Sequence, residues 1–109
     1  MSIEIEQRDH LCLIGVHRAQ KMNALNKDMY HGLARALHRL EHDPDLWVGV
    51  IWAEGPHFTS GVDLSDWAEA FASGSPFPVA DDEIDPVAMS GPRLSKPLVI
   101  AVQGRCYTW

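Results

Sequence analysis

Two cysteines, few basic side chains and no long apolar run set the first limits on this chain of 109 residues. Cys12 and Cys106 stand in separate strand-like settings without metal or redox spacing. They set aside a metal or redox centre and read as reduced structural thiols of a cytoplasmic protein. Lysine and arginine number 9 against 15 acidic residues, a net charge of −6. No basic face is available to meet a phosphate backbone, so no nucleic-acid partner is expected. Met1-Ser2-Ile3-Glu4 supplies neither a basic n-region nor an apolar h-region. No run approaches membrane-spanning length, so no membrane partner is expected either.

What is present is the composition of a globular fold, 46% apolar. The length leaves room for one domain, which at this size buries roughly two-thirds of the surface that its unfolded chain exposes. Ile3-Glu4-Ile5-Glu6 alternates, Arg8-Asp9-His10 interrupts, and Leu11 to Val16 is strongly apolar, predicting a β-hairpin whose second strand is the more buried. Asn26 is placed to cap a helix with Met29, Leu33, Ala36, Leu37 and Leu40 on one stripe, and Asp43-Pro44 ends it. The near-continuous apolar run from Leu46 to Trp52 predicts a strand, reaching Ala53, that is buried on both faces. A short helix is expected from Leu64 to about Ala72 with Trp67, Ala68 and Phe71 inward. Ser73 to Pro86, carrying Asp81, Asp82, Glu83 and Asp85 among prolines and glycine, predicts a mobile, solvated acidic loop. A helical turn near Val87 to Leu94 then leads to a last strand, Leu98 to Val102. Strands alternating with helices in this way give an α/β class with a mixed or parallel sheet.

The most informative stretch is His57-Phe58-Thr59-Ser60-Gly61-Val62-Asp63-Leu64, which joins the buried strand to the next helix. A glycine turn after such a strand leaves backbone N–H groups free to face a crevice, where they can bind a developing oxyanion. Asp63 and Asp66 suit the positive end of the helix that follows, and Asp63 also suits its cap.

The segment resembles the F-S-A-G-x-D-L signature of the crotonase, or enoyl-CoA hydratase/isomerase, superfamily. Arg18-Ala19-Gln20-Lys21-Met22-Asn23-Ala24-Leu25 is similar to that family's R-P-x-x-x-N-A-L, and Asp43-Pro44-Asp45 stands before the strand as is usual there. Lys96-Pro97-Leu98-Val99-Ile100-Ala101-Val102-Gln103-Gly104 resembles its K-P-x-I-A-A-V-x-G strand. The four motifs occur in family order along essentially the whole chain.

The resemblance implies crotonase-like ββα units in a mixed or parallel sheet, with residues 1–109 forming the N-terminal part of a domain about twice this length. The C-terminal half and the trimerising helices would be absent. It further implies an acyl-CoA thioester as substrate with no covalently bound cofactor, and a homo-trimer or hexamer at full length. The thioester oxygen would sit between two backbone N–H donors, the first at Val62. The second falls at Trp109, where Thr108 and Trp109 stand in place of the family's glycines. Gln20, Lys21, Ala24, Ser60, Gly61, Asp63 and Leu64 would border the coenzyme, Lys21 as a phosphate partner and Ala24 along the pantetheine channel. The hydratase carboxylates of the family lie beyond Gly104, with Asp66 and Glu69 as the nearest acidic stand-ins.

His31, His38 and His42 read as a polar helix face rather than a metal site, and His57 as a loop residue. Trp47, Trp52, Trp67 and Trp109 read as core or interface packing. The expectation is thus a hydratase/isomerase-type protein, inactive as this chain for want of a general acid or base. The rival is a non-catalytic crotonase-like module that binds CoA or a partner.

Overall fold

The computed structural model describes residues 2–74 and 79–107. The hairpin forms from β1, Ile3–Arg8, and β2, Leu11–Val16, antiparallel with Ile3 opposite Val16 and Arg8 opposite Leu11. Its turn carries Asp9 at φ 51°, a left-handed conformation that a short polar side chain tolerates. β2 is the more buried strand, as its sequence predicts: Cys12, Ile14 and Val16 are sealed in the core.

Helix α1, Lys27–His42, begins at Asn26, whose side chain accepts the Met29 N–H at 2.8 Å. Its stripe of Met29, Leu33, Ala36, Leu37 and Leu40 is buried throughout. The helix stops at Asp43, which is forced into extended geometry by Pro44. Strand β3, Val48–Ala53, then lies parallel to β2, and β4, Leu98–Ile100, lies parallel to β3. The result is a mixed four-stranded sheet in the order β1-β2-β3-β4. Helix α1 crosses over from β2 to β3 and packs on β1, β2 and β3. Helix α2, Leu64–Ser73, follows β3.

Several expectations need correction. β3 is not buried on both faces: Gly49, Ile51 and Ala53 are covered, whereas Trp52 is 37% exposed. Only the α1 side of the strand carries a packed layer, so burial alternates. Leu46 is buried but precedes the strand, held by its N–H to the Asp43 carbonyl. Trp47 is also exposed and stacks on His10, so Trp67 alone of the described tryptophans is core. Within α2, Ala68 and Phe71 are exposed, leaving Trp67 as the only buried residue of that helix. Residues 87–94 contain a turn at Val87 and a bend over 89–91 but no helix, and β4 ends at Ile100. The acidic loop is not solvated throughout, because Glu83 and Asp85 are buried. His31 pairs with Glu83 rather than standing on a purely polar face. Trp109 lies outside the described residues.

Candidate active site

The site grows from a buried asparagine. Arg18 leads into a 3-10 turn, Ala19–Lys21, after which Met22 and Asn23 adopt φ 52° and 55°. Asparagine enters that left-handed region more easily than most residues. Its fully buried side chain accepts the Arg18 N–H at 2.9 Å and donates to the carbonyls of Glu54 and His57, each at 2.9 Å. One amide therefore fastens the residue 18–25 loop to the segment leaving β3.

That segment lies between two others. On one side, Ser60 donates its N–H to the Met22 carbonyl at 2.9 Å, and Thr59 Oγ1 donates to the Asn23 carbonyl at 3.0 Å. On the other, Phe58 donates to Gln103 and Thr59 to Arg105, while Tyr107 donates back to Thr59. The His57 ring nitrogen accepts the Arg105 N–H at 3.1 Å, so this loop histidine is structural.

Gly61 then takes φ 103°, which only glycine adopts without strain. Here the backbone bonds are informative. Leu25 donates its N–H to the Gly61 carbonyl, and Asp63 donates to the Leu25 carbonyl, both at 2.8 Å. Such a parallel bridge engages the residues on either side of Val62, so the Val62 amide faces the opposite edge. Among the described residues no oxygen accepts from it.

Asp63 begins α2, its carboxylate accepting the Ser65 N–H and hydroxyl. It also accepts from Arg18 Nη1 at 3.0 Å, and that guanidinium donates to the Ala24 carbonyl at 2.9 Å as well. The Ser65 and Arg18 hydrogen bonds hold the Asp63 carboxyl below its ordinary range. Asp63 is thus the cap that its sequence predicts and a clamp on the loop besides. The Trp67 indole adds a third tie by donating to the Leu25 carbonyl at 2.9 Å.

The other sequence candidates fall around this frame. Gln20 and Lys21 are exposed on the rim of the loop, Ala24 and Ser60 are half-buried, and Leu64 is exposed at the helix start. Asp66 is occupied by the Lys27 N–H at 2.7 Å, where it serves the start of α1, and Glu69 is exposed. Arg18, Asn23 and Thr59 are the residues whose roles sequence reasoning missed. Arg18 and Asn23 stood inside a recognised motif, but the partners that give them work are 31 to 45 positions away.

An apolar cavity of about 290 Å³ opens between α1, β3 and β4. Leu33, Leu37, Ile51, Phe58, Ile100 and Val102 line its body, and Pro86 and Val87 form one wall. No helix among the described residues is long and apolar enough to cross a membrane.

The family model for enoyl-CoA hydratase/isomerase matches residues 6–108. The chain is 30% identical to enoyl-CoA hydratase EchA19 of Mycobacterium tuberculosis over 92% of its own length and 38% of that protein's. It is 34% identical to probable enoyl-CoA hydratase 1, peroxisomal, of Arabidopsis thaliana, over 90% of this chain and 35% of that one. A crystal structure of a probable enoyl-CoA hydratase/isomerase from Mycobacterium abscessus superposes with a TM-score of 0.85 at 37% identity, covering 94% of this chain and 39% of that one. The chain therefore spans little more than a third of these relatives' length, less than the half implied by its motifs. With the match running almost end to end, this chain belongs to the enoyl-CoA hydratase/isomerase family.

Proposed function

We propose that this chain supplies the thioester-polarising part of an acyl-CoA hydratase or isomerase. The observation that carries the reading is the Val62 amide, turned away from its neighbours by the bridge that pins Gly61 and Asp63 to Leu25. A thioester oxygen placed against it would gain a pre-set donor as negative charge develops at Cα. Such a donor contributes on the order of 3 kcal/mol to a transition state. A second donor at Trp109 completes the pair in this reading. The coenzyme would run along the rim made by Gln20, Lys21 and Ala24 and past Ser60, Gly61, Asp63 and Leu64. The exposure of Lys21 supports its role as the phosphate partner, and the apolar cavity offers a surface for the acyl chain. A cytoplasmic location is part of the proposal and is consistent with the free, buried thiol of Cys12. So is trimeric or hexameric assembly of a longer protein.

Chemistry at Cα or Cβ also needs a proton carrier. Asp66 is committed to the Lys27 amide and Glu69 points to no described partner, so neither is set up as one. This favours a second reading for the chain by itself, a CoA-binding module without turnover. Both readings are tested with crotonyl-CoA carrying a 13C label at the thioester carbonyl. Binding to the 109-residue chain should lower the carbonyl stretching frequency in the infrared, with no hydration product, and Val62→Pro should abolish the shift. A bound thioester with an unshifted carbonyl would refute the role given to Val62, and rapid hydration would refute the module reading.

A further inference from the structure

The acyl-CoA reading leaves the charged strap of residues 79–90 unexplained. Asp81 and Asp82 turn outward as solvated acids do, but Glu83 and Asp85 are only 4% and 3% exposed. Burying a carboxylate is costly unless donors replace its water. Here they do. Glu83 accepts from the His31 ring at 2.8 Å and from the Ala80 N–H at 2.9 Å, with the Arg35 guanidinium 3.7 Å away. Asp85 accepts from the Tyr30 hydroxyl at 3.1 Å, and from the N–H groups of Val87, Met89 and Ser90 at 3.0, 2.9 and 3.1 Å. Burial and the Asp85 anion together push the Tyr30 phenol above its ordinary pKa, which keeps it a donor. Between the two acids, Ile84 is buried and donates its N–H to the Ala34 carbonyl at 3.0 Å. Four residues of α1, Tyr30, His31, Ala34 and Arg35, thus grip one short stretch of strap. The next two strap residues, Pro86 and Val87, are those that wall the apolar cavity.

We propose that Glu83 and Asp85 are positioning residues: by fastening the strap to α1 they fix Pro86 and Val87 as a wall of the cavity, and so set the length of acyl chain it accepts. Apolar contact is non-directional, whereas hydrogen bonds fix distance and angle, which is what a wall that measures length requires. The inference rests on the acyl-CoA reading and deepens it.

The test uses the 109-residue chain and two variants outside the cavity lining, Asp85→Asn and Tyr30→Phe. Amide exchange at Val87, Met89 and Ser90 reports the strap directly, without ligand. Calorimetric affinities for free CoA, butyryl-CoA and decanoyl-CoA report the cavity. In Asp85→Asn, exchange should quicken and the decanoyl-to-butyryl affinity ratio should change, each by roughly fivefold, with free CoA unaffected. Tyr30→Phe should move both in the same direction; it removes a single hydroxyl, and so decides the matter if Asp85→Asn does not fold. Unchanged exchange overturns the proposal. Faster exchange with an unchanged ratio also overturns it, but leaves the acyl-CoA reading standing. If the unaltered chain binds none of the three ligands, that reading fails and takes the proposal with it.

Discussion

Asp63 shows how much one side chain does in this fold. It caps α2, holds Arg18, and through Arg18 reaches the Ala24 carbonyl. Its carboxyl is held below the ordinary range by the hydrogen bonds from Ser65 and Arg18. A carboxylate with a depressed folded-state pKa stabilises the fold above the unfolded value, and that contribution is lost as pH falls through the folded one. Asp63→Asn keeps a capping oxygen and removes the charge. The variant should therefore unfold at lower urea than the parent at neutral pH, and the gap should close in acid, below the usual carboxylate range. Urea midpoints across a pH series check this; parallel curves would show that the charge is idle. Of this network the cap was legible, since aspartate before a helix is a local signal. The pairing with Arg18 was not, because 45 positions separate the partners and only the fold brings them together. Glu83 and Asp85 were misread for the same reason: a run of acids says nothing about the tyrosine, histidine and arginine waiting on another element.

Among the elements, α1 was the most legible, although one tie at its exit was hidden. Period and cap predicted its stripe and both ends. Nothing local revealed that Lys96 reaches back to donate to the carbonyls of Leu40, Asp43 and Leu46 at 2.6, 2.8 and 2.6 Å. The last turn of a helix has carbonyls without intrahelical partners and carries partial negative charge, so an ammonium there both satisfies and neutralises. Lys96→Met should keep the stem packing and lower stability by about 2 kcal/mol, read from chemical unfolding. A loss confined to a few tenths would mean that water replaces the ammonium at no cost. β3 was misjudged on its burial because apolar content reports what a strand tolerates, while the layers present decide what is covered. The mixed or parallel character of the sheet followed from the alternation of strands and helices, and there sequence and structure agree.

For the whole molecule, the uneven sheet matters most. α1 covers one side, while Val99, Ile100 and Val102 are each at least half exposed at or just beyond edge strand β4. Relatives about two and a half times as long have chain to spare for covering such a face (this chain spans 38% of one of them). Left open, an apolar edge is a template for pairing with another copy. The 109-residue chain should self-associate as its concentration rises, and Val99→Lys should suppress this in sedimentation velocity. Association that is indifferent to the added charge would place the sticky surface elsewhere.

Residues 58–60 are a middle ply, laminated to residues 22–23 on one side through the Thr59 hydroxyl and the Ser60 N–H, and to residues 103–107 on the other. Peeling away the outer ply would unbrace the peptide three positions upstream of Val62 without touching that residue. The stiffness of the central amide is thereby lent to it by residues synthesised well after it, and a nascent chain acquires a braced turn only once that splint has been laid down.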